Sequence, residues 1–412
     1  MTSEAGSAGR RAIIVGGSLA GLFAALLLRR AGWQAEIHER AAGDLSGRGA
    51  GIVTHPELFD ILARAGIDRD RAEVGVAVAG RRVFGADGTL VAERALPQVL
   101  TAWGHLHGLL KQALPAGAYH PGRSLVRVEE AEEAVTAHFA DGSRVRGDLL
   151  IGADGIGSTV RALFAPQAAP LYAGYVAWRG LVDEAALTAA TRAALLDHFS
   201  FSLPPGEQML GYPVAGEAAG GRRFNFVWYR PAAAGTGLTA LLTDIDGAAQ
   251  PLSIAPHRIR PEVIAGMRRD ARRLLAPPFA EVVERTAQPF LQAIQDLEAP
   301  RLVLGRRVVI LGDAAFVARP HVGMGVTKAA GDADALARAL LDHPHDLAAA
   351  LARFEAGRLA FGRAVVRRAR ELGASMQAQI LTPRERALAE RHRAPEAVMA
   401  ETAVATGLPA ID

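Results

Sequence analysis

Glu39, Asp154 and Asp313 each close a short run of apolar, largely β-branched residues, and each lies near a glycine-containing turn. A carboxylate at the C-terminal end of a strand can accept hydrogen bonds from sugar-like hydroxyls. A glycine-rich turn that opens a helix offers backbone N–H groups and the positive helix pole, which together receive phosphate. The first such segment reads Ile13-Ile14-Val15-Gly16-Gly17-Ser18-Leu19-Ala20-Gly21 and continues as an apolar helical pattern to Ala31. Ala35-Glu36-Ile37-His38-Glu39-Arg40 then reads as a second strand ending in an acid. This strand–helix–strand pattern sets a pyrophosphate on a helix N-terminus and a ribose hydroxyl on a carboxylate. Gly16 permits the tight turn and Gly21 the close packing of helix on strand. Ser18 takes the place of the second glycine, giving G-x-S-x-x-G. A purely structural strand-to-helix turn has the same outline, so this motif alone leaves both readings open.

The second segment is Asp148-Leu149-Leu150-Ile151-Gly152-Ala153-Asp154-Gly155, with Ser158 at a helix N-cap position and Arg161 in the helix. Read alone, Asp154 is either a turn former or a ligand. The third is Arg307-Val308-Val309-Ile310-Leu311-Gly312-Asp313, continuing through Pro320-His321-Val322-Gly323-Met324-Gly325 into a long helical pattern. Asp313 either caps its own turn or holds a hydroxyl, and the glycine turn gives a second positive helix end.

In this order the three segments resemble the class A flavoprotein aromatic hydroxylases, the p-hydroxybenzoate hydroxylase fold, over residues 11–341. Shorter stretches are similar to the 2,6-dihydroxypyridine 3-hydroxylase branch: Arg48-Gly49-Ala50-Gly51-Ile52, Thr101-Ala102-Trp103, Tyr175-Val176-Ala177-Trp178-Arg179-Gly180 and Arg319-Pro320-His321-Val322-Gly323. The resemblance implies FAD as cofactor and NADH or NADPH as a transient co-substrate. It implies O2-dependent hydroxylation of an electron-rich aromatic or N-heteroaromatic, hydroxypyridine-like ring through a flavin C4a-hydroperoxide. By position it puts Gly16, Ser18, Leu19, Ala20 and Gly21 around the FAD pyrophosphate and Glu39 on the adenosine ribose. Arg40 and Arg48 fall on the adenine and phosphate side, with Asp154 and Gly155 beside FAD and the transient nicotinamide. Asp313 falls on the ribityl chain, and Gly323, Met324 and Gly325 against the pyrimidine edge of the flavin. Met324 departs from the Gln that is common in the wider family, and an Arg that most relatives place near Trp103 is missing. Tyr212, Phe226, Pro320 and His321 are expected to touch substrate, and His321 is the candidate catalytic proton acceptor. Trp178 and Arg179 are either sheet structure or functional. A flavin epoxidase or dehydrogenase of the same fold, or an FAD-binding protein without turnover, remains an alternative.

The elements that must position these residues follow from periodicity. With the resemblance, the pattern implies an α/β fold class: a Rossmann-like FAD-binding domain interleaved with an antiparallel-sheet substrate domain, and a helical C-terminal segment. Residues 11–170 and 290–345 are expected to form the first, 171–289 the second and 346–412 the third. Asp87-Gly88 and Asp141-Gly142 mark hairpin turns. Alternating strands are expected over 172–182, 199–203, 208–214 and 222–229. Helices are expected over 261–276, 279–286, 325–341, 347–372 and 383–393.

Composition sets the outer bounds. The 412 residues are 50% hydrophobic and 22% charged, the profile of a globular protein with a large core. The chain has no Cys, which excludes disulfides, thiolate metal ligands and a cysteine nucleophile. No His/Asp/Glu spacing indicates a metal. Lys111 and Lys328 are the only lysines among 46 basic residues, and 43 acids leave a net charge of +3. The arginine clusters at 268–273 and 363–370 have helical spacing and read as helix faces, so no nucleic-acid partner is expected. No membrane span or secretory signal is visible, so the expected location is the cytoplasm. The expected partners are a small aromatic substrate and O2, with a homodimer left open.

Overall fold

The computed structural model describes residues 9–45, 51–68, 70–216, 221–378 and 382–410. Arg48, placed above on the phosphate side, lies outside the described residues.

The chain begins with β1 (Arg11–Val15), α1 (Leu19–Arg30) and β2 (Gln34–Glu39). β1 is almost wholly apolar because it is covered on both faces, as parallel strands are. It pairs in parallel with β2 on one side and with the strand Leu149–Gly152 on the other. Val308–Ile310 and Tyr119–Pro121 complete a five-stranded parallel sheet. This order brings the C-terminal ends of β1, β2, Leu149–Gly152 and Val308–Ile310 to one edge; β2 ends there in Glu39, and each of the other three runs into one of the motif turns. In such a sheet, ligands bind in the crevice beyond the carboxyl ends of the strands. α1 is apolar around most of its circumference because it lies between this sheet and the helix Gly325–Asp342.

A ten-stranded sheet forms the second body, with mostly antiparallel pairing. The strands Leu171–Asp183, Arg222–Pro231, Gln208–Ala215 and His198–Ser202 correspond to the alternating segments of the sequence. The sheet also takes strands from outside residues 171–289. Gly51–Val53, Val76–Phe84 and Leu90–Ala102 extend one side, and Phe290–Glu298 lies beside Leu171–Asp183. The two bodies are thus threaded through one another. The back of the large sheet packs on the helices Pro261–Leu274 and Pro277–Arg285 through Trp178, Phe226, Trp228 and Phe279. A small antiparallel sheet carries the Asp141-Gly142 hairpin. The helices Leu347–Leu372, Pro383–Arg393 and Pro395–Glu401 end the fold.

Candidate functional site

A cleft of about 620 Å³ opens at the shared strand edge, lined by Gly16, Ser18, Glu39, Arg40, Asp154, Gly155 and Asp313 among others. The structure therefore gathers residues from three motifs up to 297 positions apart, Gly16 to Asp313, into one concavity. Its size lies within the range of small-molecule and cofactor sites.

The glycine turn is shaped by close approach. Gly16 has φ +108°, and a Cβ there would sit 2.4 Å from the Ala153 carbonyl oxygen. A Cβ on Gly21 would lie 2.0 Å from the Gly16 carbonyl oxygen. Ser18 is the N-cap residue of α1, yet its side chain makes no capping hydrogen bond. Ser18 lines the cleft next to the first-turn amides of Leu19 and Ala20, which have no acceptor within the helix. Glu39 is 7% exposed and accepts from the Gly17 N–H at 2.7 Å and the Ala41 N–H at 2.8 Å. One carboxylate thus ties β2 to the glycine turn, with acceptor capacity remaining toward the cleft. Arg40 is exposed at the cleft rim.

Asp313 lies deep among protein atoms but is open to the cleft. Burial pushes its carboxyl above the usual range, the nearby Lys328 ammonium pulls it down, and Asp332 pushes it up. Among the described residues its carboxylate has no hydrogen-bond partner, so it does not cap its own turn. The turn is held from behind instead. The Asp332 carboxylate accepts from the Gly312 N–H at 3.0 Å and from Arg358 at 2.8 Å, with Lys328 3.6 Å away. Sequence reasoning missed this buried cluster. Its trace was a Lys–Asp pair four residues apart in a largely apolar helix.

Asp154 behaves differently. Its carboxylate accepts from the Ser158 hydroxyl at 2.5 Å, the Thr159 N–H at 2.7 Å and the Val160 N–H at 3.2 Å. It caps the helix Thr159–Phe164, and the turn-forming reading accounts for its side chain. Asp154 and Gly155 also line the cleft, and the carboxylate keeps acceptor capacity toward it. Arg161, 4% exposed, joins this turn to the Asp313 turn by donating to the Ala314 carbonyl at 2.9 Å. Sequence reasoning also missed His38, Arg123 and Gln292 as lining residues. Trp103 lines the cleft too and stacks on His107 at 4.6 Å, whose Nε2 lies 3.1 Å from the Gly17 carbonyl.

Glu36, His38 and His120 meet with ligand atoms within 4.8 Å of one another, a grouping that no sequence spacing indicated. The two imidazoles stack 4.9 Å apart at 11°. Lone pairs lie in the ring planes, so nearly parallel rings do not aim at a common ion, and no metal is assigned here.

The turn that opens Gly325–Asp342 is left-handed at Gly323, φ +66°. Met324 is buried at the N-cap position, and a Cβ on Gly325 would meet open space. The Met324 departure therefore leaves the helix end accessible. The large sheet faces this region with rows fixed by register. Gln292, Ala177, Tyr229 and Gln208 lie side by side, then Phe290, Arg179, Val227 and Leu210, then Leu181, Asn225 and Tyr212. Tyr212 is buried on this face, against Phe199 and close to Gly51. Phe226 is not on it. It is a step out of phase and lies with Phe224 and Trp228 in the core behind the sheet, which corrects its expected role as a substrate contact.

His321 is also corrected. It is 1% exposed, with Nδ1 3.2 Å from Gln208 Oε1 and Nε2 2.9 Å from the Tyr175 hydroxyl. The network makes Nδ1 the donor to Gln208 and Nε2 the acceptor from Tyr175, so neither nitrogen is left for a ring proton. Burial, with Arg319 and Arg179 nearby, pulls its pKa down to about 3. His321 is a neutral brace between the sheet and the turn. Pro320 begins that turn and is half-buried.

The donor set fits FAD: two free helix ends, an unpartnered carboxylate deep in the cleft between them, and a second acid at the mouth. Residues 10–169 match the FAD binding domain family and residues 172–296 the FAD binding domain-like family. A 2,6-dihydroxypyridine 3-monooxygenase from Paenarthrobacter nicotinovorans is 33% identical over 375 residues, 89% of this chain and 91% of that protein. The solved 2,6-dihydroxypyridine-3-hydroxylase of Arthrobacter nicotinovorans superposes with a TM-score of 0.87 at 30% identity, covering 98% of each chain. HpxO of Klebsiella pneumoniae, solved with FAD and uric acid, gives 0.75 at 25% identity over 95% of this chain and 93% of its own. The chain belongs to the class A FAD-dependent aromatic monooxygenases. It is an FAD-dependent, NAD(P)H-using hydroxylase, and among the described residues no helix is long and apolar enough to cross a membrane.

Proposed function

We propose that the protein hydroxylates a planar, hydroxylated N-heteroaromatic ring of the hydroxypyridine type, such as 2,6-dihydroxypyridine, with O2 and NAD(P)H. The observation that carries this reading is that Gln292 of the large sheet lines the same cleft as Asp313, in one register row with Ala177 and Tyr229. A ring can lie there against the cofactor. Bound FAD supplies the redox and oxygen-transfer chemistry.

The chain's own residues bind, orient and shield. Ser18 and the amides of Leu19, Ala20 and Gly21 hold the pyrophosphate at the positive end of α1. Glu39 accepts from the adenosine ribose while fixing the glycine turn, and Arg40 offers charge at the rim. Asp313 accepts from a ribityl hydroxyl. The amides of Met324 and Gly325, at the start of an 18-residue helix, offer a positive pole that would stabilise negative charge on bound FAD. The Tyr229 and Tyr212 rings form the wall that keeps water from the reacting carbon. Both phenols stay neutral, because burial pushes Tyr229 up to about 12 and raises Tyr212 further. A need for reduced nicotinamide from general metabolism supports a cytoplasmic location.

The test is NAD(P)H oxidation by FAD-loaded protein. Oxidation that accelerates when a hydroxypyridine is added supports the reading. A protein that binds FAD but oxidises NAD(P)H at one slow rate with every ring contradicts it.

A further inference from the structure

Arg179 lies in the middle of the substrate-facing sheet and, among the described residues, is the half-buried arginine there that makes no hydrogen bond or ion pair. Its strand, Leu171–Asp183, alternates, so Arg179 shares a face with Tyr175 and Ala177 while Val176 and Trp178 turn to the core behind. Its lateral neighbours are Phe290 on one side and Val227, then Leu210, on the other. The rows before and after it hold Gln292, Ala177, Tyr229 and Gln208, and Leu181, Asn225 and Tyr212. None of these is an acid.

The other arginines held inside this protein are matched. Arg319 pairs with Asp296, Arg358 with Asp332, and Arg81 donates to the backbone carbonyls of Met399 and Thr402. Arg179 has a buried Nε without a partner and, among the described residues, makes no hydrogen bond or ion pair. An unpaired guanidinium half-buried on an apolar and phenolic wall is costly unless an anion completes it. Its charge reaches the places where a ring would lie. It pulls the Tyr212 and Tyr229 hydroxyls toward ionisation and opposes protonation of His321.

We propose that Arg179 is the specificity-determining residue of the substrate site, pairing with an anionic oxygen on the ring and selecting substrates that carry one. The assignment rests on the hydroxylase reading above and adds the charge state of the substrate to it. For a ring hydroxyl the step is a simple ionisation. The O–H bond breaks, the proton passes to water, and the oxyanion stays against the guanidinium. No protein base takes part, in keeping with His321 having both nitrogens engaged. Ionisation raises the electron density of the ring, which electrophilic oxygen transfer needs. A ring carboxylate offers the same anionic oxygen without releasing a proton, and the two sources are told apart below.

The experiment uses FAD-loaded wild type, Arg179→Gln and Arg179→Lys, with 2,6-dihydroxypyridine and 6-hydroxynicotinate as probes. Affinity is read from the change in flavin absorbance, and proton release from weakly buffered indicator solution. The expected result is one proton released when 2,6-dihydroxypyridine binds wild type. Arg179→Gln is expected to bind at least tenfold more weakly with the release lost, and Arg179→Lys to recover part of both. FAD content is expected to stay equal across the three proteins. If 6-hydroxynicotinate alone binds, without proton release and with the same dependence on Arg179, the site stands with a carboxylate as its anion. Equal affinities in wild type and Arg179→Gln, with FAD retained, overturn the role of Arg179 and leave the hydroxylase reading in place. Failure of wild type to bind either ring while holding FAD overturns both.

Discussion

Replacing Asp313 separates a ligand from a structural acid. The Asp313 carboxylate has no hydrogen-bond partner among the described residues, and its turn is held instead through the Gly312 N–H and Asp332. Asp313→Asn therefore removes nothing that the fold uses. It removes a charged acceptor from a place where burial and Asp332 already disfavour the charge. A hydrogen bond to a charged group contributes about 1.5–3 kcal/mol. At 1.4 kcal/mol per factor of ten, loss of one ribityl contact weakens FAD binding by about 10- to 150-fold. Asp313→Ala, which cannot accept at all, should fall at the upper end. The assay is flavin fluorescence quenching during titration of stripped protein, with the melting temperature of the same stripped samples recorded alongside. The expected pattern is weakened FAD binding with an unchanged or slightly raised melting temperature. An unchanged Kd would refute the role of Asp313. A melting temperature that fell in step with affinity would make it a structural residue.

Further outcomes follow from the same contacts. Glu39→Gln keeps the shape but loses the charge that accepts from Gly17, so FAD affinity should drop about tenfold, read by the same titration. Arg81→Ala removes the donor to the carbonyls of Met399 and Thr402. It should cost roughly 3 kcal/mol in denaturant unfolding and expose the segment after Glu401 to protease. Phe226→Leu should lower stability by about 1 kcal/mol and leave substrate KM unchanged, because the ring lies behind the sheet. His38 and His55 are held near pKa 4 and His321 near 3, each mainly by burial. Folded values below the unfolded value near 6.5 mean that the unfolded chain takes the protons first. Stability is then complete above about pH 6.5 and falls as pH drops toward 4, by roughly 3 kcal/mol per histidine. Melting curves from pH 7.5 to 4.5 check this; a flat melting temperature between 6.5 and 5 contradicts it.

What was legible in the sequence was the part governed by local rules. Continuous apolar runs before Gly16, Asp154 and Asp313 mark parallel strands because such strands are buried on both faces, and glycine marks where backbone approaches backbone. The acid at the end of β2 reached the cleft for the same reason. The parity of the large sheet was not legible: Asn225, Val227 and Tyr229 alternate with Phe226 and Trp228, and both sets are apolar enough to be core. Only the pairing of Leu171–Asp183 with Arg222–Pro231 shows which set faces the cleft. The long-range strand Phe290–Glu298 was missed because its partner lies more than a hundred residues earlier. Asp154 and His321 sat in the expected turns, but the sequence could not show that Ser158, Thr159, Tyr175 and Gln208 would engage their polar atoms.

The central claim is that this chain binds FAD and uses it to place one atom of O2 on a hydroxylated ring. Turnover of the FAD-loaded protein with NAD(P)H, 2,6-dihydroxypyridine and 18O2, followed by mass spectrometry, tests it most directly. The account predicts a ring product heavier by one 18O-labelled hydroxyl, formed in proportion to the NAD(P)H consumed. NAD(P)H oxidation that yields only hydrogen peroxide and an unchanged ring would contradict it.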